Sequence, residues 1–226
     1  MSIRKKILAI SIGPVLVLGV ITLLFILTMV KSSLMDEVQD ALKGTAAATL
    51  AAYDQNTGDY LESTNGDIWK GSYNISKSES LVDRIKENTG MDVTFFYGNK
   101  RIMTSALDKK GNRILGSEAG ERVVNQVIKG KKPFFSTNVS LDGTRNYGYF
   151  IPVYQNGTTD QVIGMVFVGT NKARKDAIVN KILGSIMMAL LVVMLLCIVT
   201  AMRMAASISK NIKNSVIMKK VSQKHT

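Results

Sequence analysis

Val93-Thr-Phe-Phe-Tyr-Gly-Asn-Lys-Arg-Ile-Met-Thr-Ser105 marks the point where the apolar periodicity of the chain changes from helical to alternating. Val93–Tyr97 reads as a strand, Gly98-Asn99 as a two-residue hairpin turn, and Arg101–Ser105 as the returning strand. Upstream, Leu34, Val38, Leu42, Thr45/Ala46, Thr49/Leu50 and Tyr53 recur at steps of three and four, one face of a helix over Ser33–Tyr53. The polar run Asp54–Asp59 breaks it. A shorter helix through Leu81, Val82 and Ile85 ends where Gly90 supplies a C-cap. Trp69, the only tryptophan, reads as a packing residue between the helices.

Downstream, Lys109-Lys-Gly-Asn112 is a loop, and Ser117 is placed to cap a helix carrying Val123, Val124, Val127 and Ile128, closed by Gly130. Phe134–Leu141 and Thr144–Tyr154 form a hairpin around Asp142-Gly143, a dipeptide that favours the type I′ turn. Asn156-Gly157 is a further turn, and Gln161–Val168 is a last strand. Helices followed by an antiparallel sheet make an α+β domain.

Two uncharged apolar runs bracket this domain, Ile7–Val30 and Ile182–Met202. About 20 helical residues suffice to cross the hydrocarbon core of a bilayer, and both runs pass. Ile7–Val30 exceeds the about 7–15 apolar residues of a signal peptide and lacks a nearby small-residue cleavage site, so it reads as an uncleaved anchor. Pro14 is tolerated in a spanning helix. All 17 acidic residues lie between Lys31 and Lys181, whereas every charge outside that segment is positive. This divides the chain into an N-terminus (1–6), a first span (7–30), an extracytoplasmic domain (31–181), a second span (182–202) and a basic tail (203–226). Positive flanks place both termini in the cytoplasm, in a two-pass protein of the plasma membrane.

The net charge of +12 therefore collects beside the membrane rather than on the folded domain, which excludes a nucleic-acid partner. The bilayer is the first partner expected. The only cysteine, Cys197, lies in the second span, and the only histidine, His225, near the end of the tail. The domain thus has no disulfide, no expected zinc site and no Ser–His or Cys–His nucleophile. With no Walker loop and no dinucleotide fingerprint, neither a cofactor nor an enzymatic activity is expected. The sequons at Asn74, Asn138 and Asn156 carry little weight.

Thr94–Ser105, Asp108–Ser117, Tyr149–Val153 and the closing Val162–Gly169, in that order, resemble the single Cache domain. This is the PAS-like extracytoplasmic sensor module of bacterial chemoreceptors and sensor kinases. The resemblance covers roughly residues 34–172, and the flanking spans fit it. The overall likeness is to the sensor half of a methyl-accepting chemotaxis protein. It implies a PAS-like antiparallel sheet with a long N-terminal helix, and a cavity on one sheet face for a small molecule, often a carboxylate.

The related citrate-type sensors place an Arg and, three residues on, a polar contact in the second strand. Arg101 and Thr104 match that spacing, and a guanidinium fork suits a carboxylate. Two further contacts in those sensors precede a strand proline by four and two residues. Here these are Gly148 and Phe150 before Pro152, and neither is cationic. The departure points to a smaller, less charged ligand, such as a short monocarboxylate or another amphiphilic metabolite. Phe96 and Asn146 line the same space by their strand positions. Against this stands a plainer reading: Arg101 after Lys100 as a solvated edge residue, Thr104 as a β-former, Phe150 as core, and Tyr147 and Tyr149 on a solvent face with Arg145.

The tail from Arg203 resembles the first helix of a HAMP linker, although Asn211 stands where a proline is usual. It also fits a basic helix held by anionic lipid. The sequence ends before a second such helix or any output module. The expected function is a homodimeric or clustered transmembrane receptor for chemotactic or other signalling, with the Ser33–Tyr53 helix as the dimer contact. The alternatives are a membrane adaptor that pairs with full-length receptors, and the sensor half of a histidine kinase or nucleotide cyclase.

Overall fold

In the computed structural model, which describes residues 3–156 and 158–222, the chain begins with one helix, α1 (Ile3–Asp54). Gly157 of the expected Asn156-Gly157 turn, the first two residues of the N-terminal segment, and the tail from residue 223 with His225 lie outside the described residues. After α1 come β1 (Tyr60–Glu62), β2 (Ile68–Lys70) and β3 (Tyr73–Asn74), a small antiparallel sheet. A 3-10 turn at Ile75–Lys77 leads into α2 (Glu79–Thr89), which Gly90 closes at φ 68°.

The main sheet comprises β4 (Asp92–Tyr97), β5 (Lys100–Thr104), β6 (Phe134–Leu141), β7 (Thr144–Tyr154) and β8 (Val162–Asn171). It is antiparallel throughout, in the order β5-β4-β8-β7-β6. Between β5 and β6, a helical turn α3 (Glu121–Val123) continues as a π-type helix over Val124–Lys129. The last element is α4 (Lys172–Ser222).

Residues Leu34–Ile178 form one compact unit, and the described residues up to Ser33 and from Val179 form another. The second unit is a helix pair whose apolar side chains, Phe25 and Leu195 among them, face outward. Its two helices meet where Gly19 admits Met194: a Cβ on Gly19 would lie 2.5 Å from the Met194 Sδ. Both helices are long and apolar enough to cross a membrane.

In the domain, the sheet is covered on both faces, which explains the nearly continuous burial of β4 and β8. One face packs Val93, Phe95, Val166 and Val168 against Leu42, Ala46 and Tyr53 of α1 and Val82 of α2. Tyr53 meets Phe95 edge-on at 5.2 Å, and its hydroxyl bonds the buried Ser78 hydroxyl at 2.9 Å. The other face packs Phe96, Phe150, Met165 and Phe167 against Ala106 and Val127. The fold class, an α+β PAS-like antiparallel sheet with a long N-terminal helix, is as expected.

Several local expectations change. The α1 stripe Val38, Leu42, Ala46, Thr49 and Tyr53 is buried within the domain's own core, so only the opposite, exposed face of this helix is left for a contact with another copy. Tyr147 and Tyr149 are likewise core residues rather than a solvent face, because α1 and α2 cover their side of the sheet. Ser117 caps no helix. Its carbonyl accepts from the Arg101 N–H at 2.9 Å, and the helical turn begins after Gly120 instead. Gly116 N–H donates to the Arg101 carbonyl and Ala119 N–H to that of Asn99, so Gly116–Ala119 occupies the open edge of β5. The strand pairing around Trp69 was not anticipated.

Candidate functional site

The site grows from a bulge. Thr104 lies opposite Thr94 and Met103 opposite Phe95, but Arg101, not Ile102, lies opposite Phe96. One extra residue on β5 reverses the alternation beyond it. Met103 faces the helices, while Arg101 shares the other face with Phe96 and Thr104. A regular strand would have turned Arg101 and Thr104 to opposite faces, since they are three residues apart.

On that face lies a cavity of about 510 Å³ between the sheet, the Glu118–Val123 segment and β6. Its floor includes Phe96, Phe150 and Phe167, and its walls include Phe134, Val139 and Leu141. The polar side is the β6 run of Ser136, Thr137, Asn138 and Ser140. A second bulge, between Ser136 and Val139, sets two β6 residues against one on β7 and carries Thr137 and Asn138.

Arg101 lines this cavity and is only 8 % exposed. Its Nη1 donates to the Ile114 carbonyl at 3.2 Å, and its Cζ lies 5.3 Å from the centre of the Phe96 ring. Its Nε is buried and meets no acceptor among the described residues. Among the described residues, no ion pair compensates the guanidinium there either. Burial pushes its pKa below the ordinary arginine value, yet a guanidinium keeps its proton at any physiological pH. The result is a cation in a half-apolar cavity with hydrogen-bonding capacity to spare.

The other expected site residues divide. Phe96 and Phe150 line the cavity with Arg101. Thr104 and Asn146 share the face without lining it. The Thr104 hydroxyl pairs with that of Thr94 at 2.7 Å and accepts from the Ala106 N–H, while Asn146 Nδ2 donates to the Thr144 carbonyl at 2.9 Å. Gly148 has a different part. A Cβ there would lie 2.5 Å from the Phe167 ring, and one on its cross-strand partner Gly169 would lie 2.4 Å from it. The paired glycines are the bed on which the Phe167 ring rests.

Sequence reasoning missed Arg122, whose guanidinium lies 5.3 Å from the centre of the Phe134 ring at the cavity rim, and Glu118 on the same rim. It also missed the β6 polar row, although alternation within Phe134–Leu141 carried a signal for it. Among the described residues, no group of His, Cys, Asp and Glu side chains is clustered to hold a metal ion.

Beyond the cavity, β8 runs through Phe167 and Gly169 to Asn171, and α4 starts at the next residue. The first turns of α4 are pinned to the sheet. Lys172 Nζ donates to the Tyr147 hydroxyl at 2.6 Å, that hydroxyl donates to Asp176 at 2.5 Å, and Lys172 and Asp176 pair at 3.0 Å.

Residues 73–182 match the family model described as Single cache domain 3. No curated protein matches the chain. Among solved structures, an extracellular ligand binding receptor from Desulfohalobium retbaense DSM5692 is similar at 14% identity and a TM-score of 0.47, covering 68% of this chain and 26% of that one. The ligand-binding domain of the Campylobacter jejuni chemoreceptor Tlp3, in complex with L-norvaline, is similar at 10% identity and a TM-score of 0.44, covering 79% of this chain and 64% of that one. A structure titled methyl-accepting chemotaxis protein X is similar at 14% identity and a TM-score of 0.37, covering 67% and 64%. The chain thus spans about a quarter of the first of these and under two thirds of the other two. The matched residues, 73–182, carry all five strands of the main sheet, and over that stretch the domain between the two long helices is similar to the single Cache domain family.

Proposed function

We propose that this chain is the sensory part of a two-span membrane receptor whose Cache cavity takes a small carboxylate from outside the cell. The carrying observation is Arg101: buried, charged, without an ion-pair partner and with a free Nε, on the wall of a cavity of about 510 Å³. A buried cation without a counter-charge is costly, and a carboxylate that accepts from its fork removes that cost. The positive flanks support an orientation with both termini in the cytoplasm and the domain outside.

The relay runs through β8. A ligand on the cavity floor touches Phe167, whose ring rests on Gly169, two residues before the end of the strand that continues into α4. The Tyr147–Lys172–Asp176 link ties the same helix start to β7. A ligand that binds one strand position better than another shifts α4 by that difference in affinity and no more.

The test uses the full chain in lipid nanodiscs. Melting is followed during titration with acetate, propionate, phenylacetate and citrate, in the wild type and in Arg101→Met. A rise in melting temperature with a monocarboxylate, absent from the variant, is the expected result. No rise with any acid, or the same rise in Arg101→Met, overturns the proposal.

A further inference from the structure

We infer that the cavity selects an aryl carboxylate, an aromatic ring bearing one carboxylate, over aliphatic acids. This rests on the preceding reading, in which Arg101 receives the carboxylate.

The first ground is the wall chemistry. Five phenylalanines line the cavity, and four of them, Phe96, Phe134, Phe150 and Phe167, belong to or pack on the core cluster of that sheet face. Phe150 lies 4.8 Å from Phe167 at 41° and 6.4 Å from Phe134 at 30°. These are the separations and tilts at which aromatic rings attract one another, and they leave ring faces and edges directed at whatever fills the space. An alkyl chain gains only area from such walls, whereas a ring also gains the quadrupole contact.

The second ground is size. Ligand cavities of about 300–1,000 Å³ bury most of a drug-sized molecule. At about 510 Å³, this one leaves most of its phenylalanine wall uncovered around a two- or three-carbon acid. A ring with a short carboxylate arm fills more of that volume and brings an aromatic surface to the phenylalanines.

The third ground is charge. Arg101 is the only buried cation on the cavity. Arg122 is exposed at the rim against Phe134, and Glu118 on that rim opposes a second negative charge. The cavity therefore matches one carboxylate and disfavours di- and tricarboxylates.

Isothermal titration of the full chain in nanodiscs compares phenylacetate with octanoate, which has the same carbon number, and with the uncharged 2-phenylethanol. Phenylacetate is expected to bind about tenfold or more tightly than octanoate, the size of one to two aromatic contacts. 2-Phenylethanol should give no measurable heat. Phe134→Leu, on the half-buried edge strand, should bring the two acids to within about threefold of each other by weakening phenylacetate. Equal or tighter binding of octanoate, lost in Arg101→Met, overturns the aryl selection and leaves the carboxylate reading standing. If neither acid binds, or Arg101→Met binds both as the wild type does, the carboxylate reading falls and the aryl inference with it.

Discussion

Replacing Arg101 by methionine should make the ligand-free protein more stable and ligand-blind. The two effects have one cause. Arg101 is 8 % exposed, keeps one hydrogen bond to the Ile114 carbonyl and one ring contact with Phe96, and leaves Nε unmet. The bond to the carbonyl is worth about 1.5–3 kcal/mol and the ring contact about 0.5–2 kcal/mol. Against these stand about 1–3 kcal/mol for the unsatisfied donor and several kcal/mol for a desolvated guanidinium. Methionine keeps the unbranched stem and removes the charge. Ile114 is only half-buried, so its carbonyl can turn to water. The net expectation is a gain of about 1–2 kcal/mol, or about 3–8 °C in melting temperature for a domain of this size. Carboxylate affinity should fall at least about 100-fold, because a charge-assisted bidentate contact is worth about 3 kcal/mol. Thermal and urea melts of the full chain in nanodiscs, with and without phenylacetate, measure both. A lower ligand-free melting temperature in Arg101→Met would refute the reasoning, since Arg101 would then be a structural residue that holds the Ile114 segment.

Three other perturbations follow from the same geometry. Gly169→Ala sets a Cβ 2.4 Å from a Phe167 ring already packed against Phe150, so it should cost about 1–3 kcal/mol and weaken ligand binding. Adding Phe167→Leu should recover part of the stability, and strictly additive effects in that cycle would show that the ring and the glycine do not meet. Tyr147→Phe removes the hydroxyl that links Lys172 and Asp176 to β7, at about 1 kcal/mol. Ligand affinity should hold while hydrogen exchange in the first turns of α4 stops responding to ligand; an unchanged response would remove Tyr147 from the relay. Arg113 holds the Asp83 carboxyl below the usual carboxylate range through a two-point contact. That contribution is present above the unfolded value near about pH 3.9 and is lost as pH falls through the lower folded value. The stability difference between wild type and Asp83→Asn should therefore be full at pH 7 and shrink as pH falls below the unfolded carboxylate value; a difference that stays constant down through the acid range would exclude the carboxylate as its source.

Elements with strong local chemistry were legible in the sequence. Asp142-Gly143 adopts φ values of 45° and 76°, as the type I′ turn requires, and β6 and β7 begin and end where alternation places them. Gly90 closes α2 in the left-handed conformation. What stayed hidden depends on residues that meet only in three dimensions. Tyr147 and Tyr149 sit in a strand that looks polar beside Arg145, and only the packing of α1 and α2 makes their side the core. Ser117 has the chemistry of a helix cap, but the open edge of β5 offers a nearer partner for its carbonyl. Trp69 lies in a sheet of two- and three-residue strands, too short for any period to show.

The candidate site shows the same division in a sharper form. Arg101 and Thr104 came together by their spacing in a resembling family, while ordinary strand geometry sends residues three apart to opposite faces. The bulge at Ile102 reconciles the two, and nothing in Arg-Ile-Met-Thr announces it. It turns Arg101 into the cavity, whereas the strand's own alternation would have driven a charged residue into the α1-facing core beside Tyr97. That placement also explains why the arginine is held at a cost. On the helix side it would be a defect with no remedy, but on the cavity side a diffusible anion can complete it. A ligand bound as proposed would meet the one ring, Phe167, that lies on a strand leading directly into α4, with two paired glycines beneath it in place of side chains that would fill its bed. In the proposed function, recognition and relay would therefore converge on neighbouring strands of a single sheet face.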